Sequence, residues 1–394
     1  MNRQVLVLFF TLFIVMVGFG IIIPIMPFYV TSLGATSLHL GLLMSSFSLV
    51  QFIFAPIWGR LSDRVGRKPL IAIGLVGYVV SNLMLASASA IWMLFAARIL
   101  GGMLSSATLP TAQAYIADTT SVKDRGRGMG MMGAAMGLGM VFGPALGGML
   151  SSFGLAVPFL AGALLASLNL LFVLFFLPES RRGDARVPVA AQGSRLLSLG
   201  QALTGRLAFY FVLAFLVSFA MANLESTFSL YSQARLGFTA TDMGIVFTFM
   251  GISGAVMQGA VMGKAIDRIG EERLIQAGLL ATAVGFLLIL TAVDLTSMIV
   301  FAVAQNVGGS LLRPSIASLL SKRTTEGQGT TMGLQASFDS LGRIAGPAWG
   351  GWIFESHHTY PYLTGAAIFL MAFLASVWRS LRTPVRVFDL TGND

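Results

Sequence analysis

Apolar residues fall in long unbroken runs along this chain, each near the ~20 residues needed to cross ~30 Å of hydrocarbon at ~1.5 Å per residue. Twelve such runs are legible, at roughly 5–30, 38–61, 69–88, 91–117, 128–150, 157–177, 207–232, 240–265, 274–292, 296–320, 330–354 and 360–379. Each predicts a transmembrane helix. The first run is too long for the core of a cleavable signal and contains Pro24 and Pro27 in place of a small-residue cleavage site. The longest polar stretch, 178–206, opens with Pro178-Glu179-Ser180 and is rich in Arg, Gly and Ser. It predicts a cytoplasmic linker between two six-helix bundles, 1–177 and 207–394.

Composition agrees with the runs. Hydrophobic residues make up 56% of the 394 residues and charged residues 10%, against roughly 25% charged in a soluble chain. The fold class expected is therefore an all-α integral membrane protein of twelve spans. The absence of cysteine excludes disulfides, iron–sulfur clusters and thiolate zinc sites, and His39, His357 and His358 supply no metal cage. No metal and no cofactor are expected.

The net charge of +9 resembles a nucleic-acid signal until the cations are placed. Counting alternate loops, 21 of the 25 Lys and Arg lie on the side of the two termini and one, Arg235, on the other. Arg98, Arg313 and Arg343 lie inside spans. The bias places both termini in the cytoplasm and assigns the basic charge to membrane orientation, with the bilayer as partner and nucleic acid as none.

The two halves repeat. Gly59-Arg60-Leu61-Ser62-Asp63-Arg64-Val65-Gly66 returns as Gly263-Lys264-Ala265-Ile266-Asp267-Arg268-Ile269-Gly270. Gly143-Pro144-Ala145-Leu146-Gly147-Gly148 returns as Gly346-Pro347-Ala348-Trp349-Gly350-Gly351, and Pro110 as Pro314. Six-span repeats in one orientation are the mark of a transporter whose halves rock about a central site.

The loop after the second run, GRLSDRVGRK at 59–68, resembles the loop signature of the major facilitator superfamily at Gly59, Leu61, Asp63, Arg64, Gly66, Arg67 and Lys68. On physical grounds Gly59 permits close helix contact, Gly66 permits a tight turn, and Asp63 pairs a cation or caps a helix. Arg98-Ile99-Leu100-Gly101-Gly102 is similar to the family's second motif, in which the Arg is linked to proton movement. The other reading of Arg98 is a side chain snorkelling to the outer interface. The glycines of span 5, with Gly139, Gly143, Pro144, Gly147 and Gly148, resemble the motif of the superfamily's drug:proton antiporters. Physically they are a device for backbone-to-backbone helix contact. The resemblance covers nearly the whole chain and lies nearest the NorA/Bmr and tetracycline-pump group. Gly18 to Pro27 match its first span, Glu225 its acid-bearing seventh span, and Arg313-Pro314 its tenth. In that group an acid stands three positions before the Arg, where this chain has Ser310. The resemblance implies proton-coupled export, with no cofactor beyond the proton gradient.

Two of the sixteen acids lie well inside spans, Glu225 and Asp339. Glu225 has no cation within four residues, so its counter-group comes from another helix or it carries a proton. Asp339 has Arg343 at i+4 on the same face. It is either half of a structural ion pair or the carboxylate that Ser310 lacks. The candidate proton-coupling residues are thus Glu225, Asp339 and Arg98. The candidate substrate cavity comprises Phe47, Gln51, Gln113, Glu225, Ser310 and Arg313. The candidate latch that closes the inner side comprises Gly59, Asp63, Arg64, Gly66, Arg67, Lys68 and Asp118. Thirty Phe and 21 Met suit a deformable apolar wall, and no Arg/Lys cluster for phosphate esters is visible. No Walker motif for ATP is present, and no nucleophile–base constellation for an enzyme. The function expected is proton-driven export of lipophilic, often cationic drugs by a monomer in the cell membrane. The alternative is export of one endogenous metabolite or lipid in the same fold.

Overall fold

The computed structural model describes residues 3–180, 195–324 and 327–382, and these residues contain helix and no strand. Twelve long helices account for nearly all of them. The first six are α1 Arg3–Ser32, α2 Ser37–Val65, α3 Arg67–Ala86, α4 in two pieces (Ile91–Ser105 and Thr108–Thr119), α5 Val122–Ser151 and α6 Val157–Phe176. A short helix, Arg195–Ala202, lies in the connection. Then come α7 Ala208–Leu236, α8 Ala240–Ile269, α9 Glu271–Ile289, α10 Leu295–Arg323, α11 Gln328–Ser356 and α12 Tyr360–Arg382. A single π turn, Met257–Val261, interrupts α8. Most of the predicted linker, 181–194, and the tail beyond 382 lie outside the described residues.

Among the described residues, eleven helices are long and apolar enough to cross a membrane. The remaining one, α11, matches its neighbours at 29 residues but carries Gln335, Asp339 and Arg343. It is wedged between α7 and α2, and a span shielded by protein tolerates polar residues that lipid would not.

Glycine decides how closely the helices approach. A Cβ on Gly143 would stand 2.7 Å from the Gly20 Cα, and one on Gly147 would stand 2.7 Å from the Ile21 carbonyl oxygen. Gly139 meets Met16 and Phe13 in the same way, so the motif glycines of α5 hold it directly against the backbone of α1. In the second half Gly342, Gly346 and Gly350 of α11 meet Phe215, Phe219 and Asn223 of α7. The last glycine of each row turns outward and touches the other half. Gly148 faces Gly244 of α8, and Gly351 faces Ser37 and Leu38 of α2. Two seams therefore join the halves, α5 with α8 and α2 with α11.

Both seams lie toward one face. We call it the far face, since α1 begins and α12 ends at the opposite, near face. At the far face the Ser37 hydroxyl donates to the Gly351 carbonyl at 3.0 Å, and the Leu38 amide donates to the Glu355 carboxylate at 3.2 Å. Gly251 still abuts Val141, with a Cβ placed 3.0 Å from its Cα, but Gly133, Gly137, Gly259 and Gly263 have open space where a side chain would stand. The halves diverge below the midplane, so the molecule is sealed at the far face and open at the near face. One apolar core runs through both halves, whereas a second is confined to the near-face part of the first half.

Candidate functional site

Five charged side chains lie inside the spans, Arg98 in the first half and Glu225, Arg313, Asp339 and Arg343 in the second. Glu225 sits on α7, half-buried among the buried neighbours Leu224, Ser226 and Thr227. Among the described residues its carboxylate makes no ion pair. It interacts electrostatically with two guanidinium groups, Arg98 from the first half and Arg313 from the second.

Arg98 is 3% exposed. Its guanidinium carbon lies 4.1 Å from the centre of the Phe47 ring, and Nη2 donates to the Met44 sulfur at 3.5 Å. Its Nε is buried without an acceptor. The snorkelling reading of Arg98 is thereby corrected: two residues of α2 cover it, and its length is spent inside the protein. Phe47 is corrected with it. The ring is buried beneath Arg98 and tilted against Phe19 at 6.3 Å between centroids, so it supports a charge and does not line the open cavity. Gly102 makes room for this arrangement, since a Cβ there would lie 3.0 Å from the Phe47 carbonyl oxygen.

Asp339 does not form the predicted pair with Arg343. Its Oδ1 accepts from the Ser218 hydroxyl of α7 at 2.6 Å, and the same hydroxyl accepts from Arg313 Nη2 at 3.1 Å. Ser218 thus links Asp339 of α11 to Arg313 of α10. Helical spacing allowed the i+4 pair, but Asp339 is taken up by the Ser218 hydroxyl of α7. Arg343 is exposed, and no ion pair or hydrogen bond to it is found among the described residues.

A cavity of about 320 Å³ opens between α2, α4 and α11. Its walls include Ser48, Gln51, Phe52, Pro110, Ser337 and Arg343. Gln51, a candidate cavity residue, is part of this wall. Gln113 is exposed one turn beyond Leu109 on α4, outside the enclosed part. Ser310 is not in the wall: its hydroxyl donates back to the Asn306 carbonyl at 2.7 Å, and it faces Gly254 of α8. Sequence reasoning missed Ser48, Phe52, Ser337 and Arg343. Their spacing carried the signal, since 48, 51, 52 and 55, like 336, 340 and 343, follow one helical face.

At the near face, Gly66 adopts φ +109°, a conformation that only glycine takes without strain. Gly59, expected at a close helix contact, has nothing within 4 Å. Buried Arg67 pairs with Asp63 at 2.7 Å and Asp118 at 2.9 Å and donates to the Ser62 hydroxyl at 2.6 Å. Glu179, which the sequence reading did not single out, accepts from the backbone amides of Arg67 and Lys68 at 2.8 and 3.1 Å. It caps α3, where the helix dipole favours a carboxylate. The Lys68 ammonium donates to the Leu174 carbonyl at 2.7 Å, and Arg64 is exposed. These contacts all fall within the first half. In this conformation the loop braces α2, α3, α4 and α6 to one another and does not latch the two halves together.

Comparison with known proteins agrees with these observations. The sequence pattern of the Major Facilitator Superfamily matches residues 8–264 and 258–392. The chain is 30% identical to multidrug resistance protein 2 of Bacillus subtilis, over 95% of its length and 94% of the relative's. It is 33% identical to the class C tetracycline resistance protein of Escherichia coli, over 94% and 95%. Among solved structures, the human organic anion transporter MFSD10 is 26% identical with a TM-score of 0.70, over 95% of this chain and 99% of that one. The matches span both halves and the motifs that build the seams and the near-face brace, and this chain belongs to the Major Facilitator Superfamily.

Proposed function

We propose that the chain is a proton-coupled exporter of amphipathic drugs, working by alternating access across the cytoplasmic membrane with both termini in the cytoplasm. The observation that carries the reading is Glu225, a half-buried carboxylate inside α7 with no ion pair among the described residues and within electrostatic reach of one Arg from each half. A charge at that depth is costly unless it has work to do. A group that both halves address is also one whose surroundings change when the halves rock. In this scheme the near-open conformation receives substrate from the cytoplasm through the cavity beside α2 and α11. Rocking breaks the two far-face glycine seams, and Glu225 exchanges its proton as Arg98 and Arg313 shift relative to it. The names of the relatives, multidrug and tetracycline resistance proteins, support a drug-like substrate. The twenty-one cations on the termini side support the orientation. The chain acts as a monomer, each copy holding its own pathway between its halves.

The test is energised efflux of ethidium from cells expressing the wild type or Glu225→Gln at matched membrane levels, with and without a protonophore. Efflux lost with the protonophore and with the mutation is expected. Gradient-dependent efflux that survives in Glu225→Gln moves the proton to Asp339, and no efflux from the wild type removes drug export.

A further inference from the structure

Arg343 has no role in the scheme above, and its position is unusual. It lies near the middle of the 29-residue α11, so it is ~20 Å from either end of the helix. An arginine at that depth is paired, hydrated in a cavity, or serving a ligand. The acid best placed to pair with it, Asp339 one turn away, is committed to Ser218 and through it to Arg313. The guanidinium instead forms part of the wall of the cavity of about 320 Å³.

The cavity is polarised along its length. Since α2 and α4 run from the far face to the near face and α11 runs back, Ser48, Ser106 and Arg343 are the wall residues of their helices nearest the far face. Two hydroxyls and a guanidinium therefore share the closed end. Phe52, Leu109 and Pro110 lie further toward the open near face. A compound entering from the near face meets apolar wall on α2 and α4, passes the hydroxyls of Ser337 and Ser340 on α11, and meets the cationic wall last. Among the described residues that line the cavity, Arg343 is the one charged side chain, so the wall at the closed end is cationic. A simple lipophilic cation is poorly matched to it. A planar carboxylate is well matched, because guanidinium presents a fork of donors in the same geometry.

We propose that Arg343 is a specificity-determining residue that anchors the carboxylate of the exported compound, so that acidic and zwitterionic amphiphiles are taken in preference to purely cationic ones. This deepens the exporter reading and rests on it.

The test uses the full-length protein in proteoliposomes under an imposed proton gradient. The probes are norfloxacin, its carboxamide in place of the carboxylate, and ethidium. The wild type is expected to transport norfloxacin at least about tenfold faster than the carboxamide at subsaturating concentration, as loss of a charge-assisted hydrogen bond implies. Arg343→Gln is expected to erase that preference while ethidium transport persists, and Arg343→Lys to keep part of it. Equal transport of norfloxacin and its carboxamide by the wild type, or an unchanged preference in Arg343→Gln, overturns the proposal and leaves the exporter reading standing. Loss of all three probes in both Arg343 variants marks a structural role and also overturns it. A wild type that moves none of the probes refutes the exporter reading itself, and the anchor falls with it.

Discussion

Adding one methyl group at Gly148 should force the far face open. A Cβ at this position falls 2.7 Å from the Gly244 Cα and 3.1 Å from the Ala240 carbonyl oxygen, and the reciprocal Cβ on Gly244 falls 2.6 Å from the Gly148 Cα. Ordinary carbon contact begins near 3.4 Å, so α5 and α8 must separate by roughly 0.7 Å to admit Gly148→Ala. Both obstacles are backbone, which no rotamer change relieves. Overpacking of this kind costs ~1–3 kcal/mol. Only the sealed conformation bears the cost, because the seam is parted when the far face opens. The balance between the two conformations should therefore move about 5- to 150-fold toward far-side opening. The chain has no cysteine, so Ser151→Cys supplies a single reporter in the same seam, where the Ser151 hydroxyl lies 3.5 Å from that of Thr241. Labelling by a membrane-impermeant maleimide from the far side should speed up by at least about fivefold when Gly148→Ala is added. An unchanged labelling rate at equal membrane level would show that this seam does not seal the far face.

The near-face brace and the Ser218 bridge give two further contrasts. Arg67 is 7% exposed and holds two carboxylates, so Arg67→Ala should destabilise the protein by about 1–3 kcal/mol. Lys322→Ala, which removes a lysine whose side chain is 63% exposed, should cost under about 1 kcal/mol; melting in detergent checks both, and equal losses would refute the ranking. Ser218→Ala should slow transport by separating Asp339 from Arg313, whereas Ser310→Ala should leave it within about twofold, since that hydroxyl serves only its own helix backbone. Initial efflux rates decide the pair, and a Ser310→Ala defect as large as that of Ser218→Ala would return Ser310 to the site.

How much of this was legible in the sequence depends on whether a feature is local. The spans were legible because hydropathy is additive along a chain, and α11 was found despite its polar residues because its glycines repeat those of α5. The turn at Gly66 was legible because a positive φ is demanded by local backbone geometry. Helix rotation is different, since it is set by packing that no single span contains. Phe47 and Gln51 share a helix, yet one lies beneath Arg98 and the other faces the cavity. The pair Asp339 and Arg343 was allowed by spacing and dissolved by Ser218, which sits 121 residues away in the chain. Glu179 gave no motif to read, because capping α3 from the end of α6 is a contact between segments 111 and 112 residues apart.

The two halves agree in their packing and disagree in their charges. Gly139 against Phe13 and Val17 repeats as Gly342 against Phe215 and Phe219, a correspondence that sets Glu225 opposite Ile23. Pro110 and Pro314 set Arg98 opposite Ala302 and Arg313 opposite Leu109, and the Gly-Pro pairs of α5 and α11 set Asp339 opposite Met136 and Arg343 opposite Met140. Every mid-depth charge thus has an apolar counterpart. Even the near-face brace changes sign, with Arg67 and Asp118 in one half answered by Glu271 and Lys322 in the other. In the second half each charge suits its helix dipole, Glu271 at the start of α9 and Lys322 at the end of α10. In the first half Arg67 stands at the start of α3 against the dipole, and Glu179 supplies the missing carboxylate. A symmetric scaffold is what lets two halves rock about a shared axis, and nothing in that motion needs a charge. The proposed coupling does need one, because a proton or an anion would have to be held by groups that the motion carries past one another. The charges therefore concentrate where the repeat is broken, and four of the five sit in the second half, with Arg98 alone facing them from the first.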